Sequence, residues 1–144
     1  MIHNQKKQKI LVLDDVFTVC QFDRKAKIDL NSFDHKGFFS VTFTDEEISI
    51  VTKEDLGTNC SKIEKNWKCL KIKGQLDFNL IGVIHNILDV LMKAEVSLFV
   101  ISTYNTDYIL VRENMLHKAL EALKNNGYDI EFASVELAWQ NLRH

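Results

Sequence analysis

The residues best suited to chemistry lie in one short polar segment between two apolar runs. From Val96 to Arg112 the chain reads VSLFVISTYNTDYILVR, so hydroxyls, one amide and one carboxylate interrupt an otherwise strand-like sequence. Apolar alternation on both sides of a short polar segment is typical of a β-hairpin. In its turn, Asp107 could accept an ammonium group, while Ser102 and Thr103 could donate hydrogen bonds to a carboxylate. The segment therefore predicts a hairpin that presents a receptor for a small zwitterion.

A second candidate contact lies at Gly74, where a strand-like run over residues 67–73 gives way to a helical pattern. Glycine at such a junction lets the backbone approach a ligand closely, and the helix N-terminus beyond it offers unpaired N–H groups to a carboxylate. Ordinary structural roles explain these residue types equally well. Gly74 suits a turn, Asp77 suits a helix N-cap, and Ser102 and Thr103 are common in turns.

The C-terminal half shows a regular alternation of strand and helix patterns. Apolar residues recur at helical spacing from Leu76 to Glu95, and a second helix is predicted from Glu113 to Asn126. The run over residues 128–132 alternates like a final strand. With the hairpin between the helices, the order is βαββαβ, which predicts an α+β fold of the ferredoxin-like type.

The N-terminal half predicts strands and almost no helix. The runs over residues 10–13 and 16–22 are rich in β-branched and aromatic side chains, and Asp14-Asp15 between them predicts a bend. Residues 24–36 follow as a polar loop.

A second hairpin is predicted over residues 38–51, with no helix before it. It overlays the later hairpin without a gap, and the overlay places Glu47 on Asp107, which indicates an internal duplication. We therefore predict a helix-poor N-terminal half over residues 1–60, packed against a complete C-terminal domain over residues 61–144.

Composition excludes several classes of protein. The 144 residues are 46% hydrophobic and carry a formal net charge of −2, so a globular core is expected and no broad basic surface attracts nucleic acid. The basic start is followed by an apolar run that stops at Asp14, and the longest apolar run, Leu80 to Met92, is too short to span a bilayer. We expect a cytoplasmic protein that binds neither membranes nor nucleic acid.

Catalytic patterns are missing from the sequence. His85 with Asp89, and His117 with Glu121, stand four residues apart, a spacing that far more often gives a solvent-facing pair than a metal site. No nucleophile elbow, zinc-protease motif or phosphate-binding glycine loop occurs. We predict no catalytic residue, no metal and no cofactor, and hence no enzyme.

Three segments, over residues 38–51, 67–78 and 101–111, together resemble one known family. They resemble the small tandem ACT-domain proteins of bacteria, which are similar to the arginine-sensing CASTOR proteins of animal cells. The resemblance covers Ile10 to Gly127, and its most specific part is the ST-Y-x-T-D-Y-x-L-V segment. The chain departs from those relatives in having no proline.

The resemblance implies an amino-acid-sensing regulatory module with no chemistry of its own, whose ligand lies at an interface between domains or between the subunits of a homodimer. The apolar edge strand Val96 to Ile101, which lacks a proline or lysine to block pairing, also predicts a homodimer. The ligand contacts that the resemblance implies are Gly74, Gln75, Leu76, Asp77 and Phe78 after one strand, and Ile101, Ser102, Thr103, Tyr104, Asn105 and Asp107 in the hairpin.

Two other functions stay open. The protein could be an assembly module whose sheet edge pairs with a second copy and whose ligand site is vestigial. It could also be a ferredoxin-like RNA-binding domain, because such sheets stack bases on aromatic side chains such as Phe38, Phe39 and Phe43. The slightly acidic charge argues against the RNA-binding alternative.

Overall fold

The structure is a computed structural model that describes residues 8–53, 56, 59–73, 82–134 and 139. Its strands are β1 (Lys9–Phe22), β2 (Ser40–Phe43), β3 (Ile48–Thr52), β4 (Lys62–Ile72), β5 (Leu98–Ser102), β6 (Asp107–Arg112) and β7 (Asp129–Phe132). Its helices are α1 (Val83–Lys93) and α2 (Leu116–Asn125), and single 3-10 turns occur at Leu30–Ser32 and Glu113–Met115.

The chain divides into two compact units. Unit 1 combines Met1–Asp14 with Lys68–His144, and unit 2 is Asp15–Trp67. Strands β1 and β4 each contribute residues to both units. The predicted division into residues 1–60 and 61–144 stays a prediction, and the two compact units do not coincide with it.

Unit 1 has the predicted ferredoxin-like arrangement, in which β4, α1, β5, β6, α2 and β7 follow in the order βαββαβ. The strands lie side by side as β7-β1-β4-β6-β5. The start of β1 is therefore inserted between the last and first strands of the motif, and its residues Lys9 to Val12 pair in parallel with Asp129 to Phe132. The sequence predicted a strand over residues 10–13 but not its place between β7 and β4, because parallel pairing between distant segments leaves no local pattern.

The core of unit 1 lies between one face of this sheet and the two helices. Alternate strand residues face the same side of a sheet, and residues three or four apart share one face of a helix. The fully buried members follow these periods: Ile10, Val12, Leu70, Ile72, Ile109 and Val111 from the sheet, and Ile87, Leu91, Ala119, Leu120 and Leu123 from the helices. The predicted apolar face of α1 is thus confirmed at Ile87 and Leu91.

Helix α1 begins later than the periodicity predicted. Gly82, which precedes it, has φ of +85°, a left-handed conformation that interrupts any helix running through it. The prediction of one helix from Leu76 to Glu95 is therefore wrong at Gly82, and residues 74–81 lie outside the described residues. The helix ends at Lys93, where Val96 N–H donates to the Leu91 carbonyl at 3.0 Å.

The predicted bend at Asp14-Asp15 is also wrong, because β1 is continuous from Lys9 to Phe22. The pairing of β1 with β7 ends at Val12, and its pairing with β3 begins at Thr18. Asp14 and Asp15 lie between these two stretches, where β1 pairs with neither β7 nor β3. Asp14 is exposed, and its carbonyl accepts a 2.8 Å hydrogen bond from the buried side chain of Lys68. A strand can carry acidic residues at such a position without burying a charge.

Unit 2 covers its sheet with a loop instead of a helix. Strand β3 pairs antiparallel with β2 and with the end of β1, and Cys20, Phe22, Ile48 and Ile50 form its core. The loop predicted to be polar supplies three apolar side chains to this core: Ala26, Ile28 and Phe33. Apolar residues spaced irregularly in a polar segment carry no periodic signal, so the sequence did not reveal this cover.

Lys53 holds the same loop in place. Its ammonium donates to the Lys36 carbonyl at 2.9 Å and lies 3.1 Å from a carboxylate oxygen of Asp34. The Lys53 side chain is only 17% exposed, so this contact is less screened than an ordinary surface ion pair. The hydrogen bonds to Lys36 and Lys53 lower the pKa of Asp34 below its usual range.

We expect Leu91→Ala to lower the free energy of unfolding by about 2–5 kcal/mol, because Leu91 is fully buried in the core of unit 1. The neighbouring Met92→Ala is the matched control. Met92 is 69% exposed, so its truncation should change stability by less than about 0.5 kcal/mol. Urea unfolding followed by circular dichroism measures both, and equal effects would contradict the packing of α1.

Candidate functional site

The β5–β6 hairpin ends in a tight turn that presents its polar residues. The Thr103 N–H donates to the Thr106 carbonyl at 2.9 Å, which leaves Tyr104 and Asn105 as an exposed two-residue loop. The Thr103 hydroxyl donates to the same carbonyl at 3.1 Å. Two bonds to one oxygen keep the turn closed and explain why a hydroxyl residue stands at its first corner.

Ser102 and Asp107 are direct cross-strand partners beside this turn. The Ser102 hydroxyl donates to one carboxylate oxygen of Asp107, Oδ1. Asp107 lies two and four residues before Ile109 and Val111, so its side chain stands on the helix-covered side of the sheet. Among the described residues no cation pairs with Asp107, which is half-buried. Its carboxylate is thus oriented by Ser102 and forms no ion pair with a described residue.

Thr106 ties the turn to the end of β4. Its side chain is 3% exposed, and its hydroxyl donates to the Ile72 carbonyl at 2.7 Å. Ile72 is the last residue of β4, and Gly74 follows two positions later in the chain. The hairpin turn and the end of the strand that precedes Gly74 are therefore bonded to each other.

Thr106 was not among the predicted site residues. Its only sequence signal is the pair of threonines that flank Tyr104-Asn105, and that pattern also suits an ordinary turn. The bond that gives Thr106 its role reaches a carbonyl 34 positions away in the chain. Such a partner is visible only after β4 and β6 have been placed side by side.

The predicted site residues divide into three groups. Ser102, Thr103 and Asp107 lie together at the turn, with Tyr104 and Asn105 exposed in its loop. Ile101 pairs with Tyr108, one position from Ser102, and so stands on the opposite face of the sheet. The other five, Gly74, Gln75, Leu76, Asp77 and Phe78, lie outside the described residues and stay predictions.

Two lysines beside the unit 1 sheet, Lys73 and Lys9, pair with another carboxylate, that of Glu131. Lys73 donates to Glu131 Oε2 at 2.6 Å, and Lys9 lies 3.5 Å from Oε1. The hydrogen bond from Lys73, helped by Lys9, lowers the pKa of Glu131 below its usual range. Lys73 follows the core residue Ile72 by one position, so these charges stand on the face opposite to Asp107.

Two of the described thiols, Cys20 and Cys69, are buried. Burial raises the pKa of both Cys20 and Cys69 to about 12, so each stays a neutral thiol near pH 7. Within the part of the chain that the structure describes, no group of three or more His, Cys, Asp or Glu residues could hold a metal ion. Nor is any helix of that part long and apolar enough to cross a membrane.

The aromatic residues considered for base stacking are mostly covered. Phe38 is 5% exposed and packs edge-to-face against Phe17, with ring centroids 5.8 Å apart. Phe39 is half-buried and stacks on His35 at 4.7 Å. Phe43 is 61% exposed but stands at the end of its strand beside Asp45 and Glu46. This arrangement does not form the open aromatic surface that stacks RNA bases.

Comparison with known proteins agrees with the topology. Residues 62–125, which span β4 to α2, match the family model of the ACT domain. The chain has the ACT fold. The match of the chain to a crystal structure of a protein from Agobacterium tumefaciens has a TM-score of 0.80 at 27% identity, over 90% of this chain and 96% of that one.

Two further solved structures come from aspartate kinases. A putative C-terminal regulatory domain of aspartate kinase from Porphyromonas gingivalis W83 matches with a TM-score of 0.53 at 18% identity, over 84% of this chain and 97% of that one. The Clostridium acetobutylicum aspartate kinase, an allosteric enzyme, matches with a TM-score of 0.58 at 16% identity, over 78% of this chain and 33% of that one. No curated protein matches the sequence.

These matches support a small ACT-domain protein and leave the CASTOR relationship a prediction. ACT domains are regulatory modules that bind small-molecule ligands, as in the regulatory domains of aspartate kinases. The predicted α+β fold of the ferredoxin-like type is confirmed.

We expect Thr106→Val to lower the free energy of unfolding by about 1–3 kcal/mol, because it keeps the shape but leaves the buried Ile72 carbonyl without its donor. Thr42→Val is the matched control, since Thr42 is exposed on β2. It should change stability by less than about 0.5 kcal/mol. Thermal unfolding of both variants tests this, and an unchanged Thr106→Val would show that the turn is not anchored through its hydroxyl.

Proposed function

We propose that this protein is a regulatory module that binds an amino acid at the β5–β6 turn of unit 1 and catalyses no reaction. The observation that carries the proposal is the Ser102–Asp107 pair. It holds a carboxylate that no described cation pairs with, in an orientation set by Ser102 and at a turn that Thr106 anchors to β4. A preorganised group binds a ligand at a lower entropic cost than a mobile one.

The ammonium of the ligand is the natural partner of Asp107. A charge-assisted hydrogen bond between an ammonium and a carboxylate is about twice as strong as a neutral one. Ser102 already occupies Oδ1, so the ligand would approach the other oxygen. The carboxylate of the ligand would be received by backbone N–H groups of the segment Gly74–Phe78, which lies outside the described residues and stays a prediction from the sequence.

The fold comparisons support a regulatory role. The matched third of the Clostridium acetobutylicum aspartate kinase, an allosteric enzyme, shares the fold of this chain. A putative regulatory domain of another aspartate kinase shares it too. We propose that this chain senses an amino acid, that it is related to the CASTOR-type sensors, and that it is cytoplasmic.

We further propose that the protein is a homodimer, with the ligand at or near the dimer interface. Strand β5 ends the described sheet of unit 1, with β6 as its only neighbour there. The Thr103 N–H donates to the Thr106 carbonyl, and in an antiparallel pair only every second residue of a strand bonds to its neighbour. In this register the N–H of Val100, three positions earlier, points away from β6. An apolar strand with such an outward donor is suited to pair with a second copy. The same edge favours the alternative of an assembly module with a vestigial ligand site.

A ligand titration separates the sensor from the assembly module. In a thermal-shift screen of the twenty amino acids, we expect at least one to raise the melting temperature, because a ligand that binds only the folded state stabilises it. Removing the ammonium should abolish the effect, so the N-acetylated form of that amino acid should give no shift. A screen in which no amino acid acts would contradict the sensor and favour the assembly module.

We expect Asp107→Asn to weaken binding of that amino acid by about 1.5–3 kcal/mol, roughly tenfold to a hundredfold, because it removes the charge and keeps the shape. Asp129→Asn is the matched control: Asp129 is exposed at the start of β7 in the same unit, and it should bind like the parent. Calorimetry measures both affinities, and melting without ligand shows that both variants fold. If a folded Asp107→Asn variant binds with unchanged affinity, Asp107 has only a structural role in the turn and does not bind the ammonium.

For the dimer, light scattering at high micromolar concentration should give twice the mass of one chain. Val100→Pro removes the outward N–H of β5 and should shift the mass toward one chain. Its melting temperature in the same buffer shows whether the fold survives. A parent that stays monomeric at hundreds of micromolar would contradict the proposal.

A further inference from the structure

The two hairpins of the chain share one turn chemistry. In β2–β3, the Thr44 N–H donates to the Glu47 carbonyl at 2.9 Å, as the Thr103 N–H does to Thr106. The Thr44 hydroxyl also lies 3.4 Å from the Glu47 carbonyl and accepts the Glu47 N–H at 3.1 Å. Thr44 and Thr103 therefore occupy equivalent corners of two-residue turns.

This equivalence corrects the predicted internal repeat by one residue. The gapless overlay placed Glu47 on Asp107, whereas the turns place Glu47 on Thr106 and Ile48 on Asp107. Burial does not separate the two overlays, because Ile50 falls on Leu110 in the first and on Ile109 in the second, and all three are fully buried. A slip of one residue moves every side chain of a strand to the other face, so the sequence overlay matched opposite faces.

With the turns aligned, the receptor positions differ between the two units. The positions of Ser102 and Asp107 in unit 1 are held by Phe43 and Ile48 in unit 2. Ile48 is 1% exposed within the core of unit 2, and Phe43 is 61% exposed. Neither side chain can accept a hydrogen bond, and an ammonium group placed there would lose water without gaining a partner.

We propose that only the hairpin of unit 1 is a receptor, so that each chain binds one amino acid through the Ser102–Asp107 pair and the matching turn of unit 2 binds none. This inference rests on the proposed function and adds its stoichiometry and location. The turn bonds of Thr44 then serve only to close the β2–β3 hairpin. The ligand therefore binds to unit 1 of each chain and not to unit 2.

The test compares the same charge removal in both hairpins. Calorimetry with the amino acid found in the screen should give one ligand per chain in the parent. Asp107→Asn should weaken binding tenfold to a hundredfold, while Glu47→Gln should keep both the affinity and the stoichiometry. Two ligands per chain, half a ligand per chain, or weakening by Glu47→Gln would each overturn the inference and leave the proposed function standing.

A second measurement locates the ligand without any substitution. In amide spectra of the labelled protein, saturation with the amino acid should shift the signals of Thr103 and Asp107 and leave those of Thr44 and Ile48 in place. Equal shifts in the two turns would overturn the single receptor. A parent that binds none of the twenty amino acids would overturn the proposed function and this inference together.

Discussion

The burial of one face of the unit 1 sheet beneath α1 and α2 determines where every described site residue lies. Strand side chains alternate between the two faces of a sheet. The burial of Ile72 and Ile109 under the helices therefore fixes the face on which each neighbouring strand residue lies. Asp107 shares the face of Ile109, whereas Lys73 and Ile101 fall on the other. The constraint that forms the core thus also places Asp107 and Lys73 on opposite faces of the sheet.

A second consequence of this packing is the difference between the two hairpins. Both turns close through a threonine, but the positions next to the closing residues face different surroundings. In unit 2 the core itself needs Ile48, so that position is not available for a polar group. In unit 1 the helices cover the sheet further along β6, and its first residue can carry a carboxylate. The two hairpins close alike but differ at this position, because the first residue of each second strand meets the requirement of its own core.

Periodic patterns predicted the parts of the fold that depend on local geometry. Helices α1 and α2, the β5–β6 hairpin and β7 all follow from spacings of two or of three to four residues, which are properties of the chain itself. The errors occurred where a long-range neighbour decided the conformation. Strand β1 runs through Asp14-Asp15 between its pairing with β7 and its pairing with β3. The loop over residues 24–36 packs three apolar side chains against the core of unit 2, whose described residues form no α-helix.

By itself, the sequence determined the order βαββαβ and placed Ser102, Thr103 and Asp107 in one turn, because neighbours in the chain stay neighbours in a hairpin. Only the tertiary structure decided that Ser102 faces Asp107, that Thr106 bonds the Ile72 carbonyl, and that the start of β1 lies between β7 and β4. Each of these depends on register between strands. Register is set by the side chains that the core buries together. These side chains come from several segments, so no single segment predicts the register.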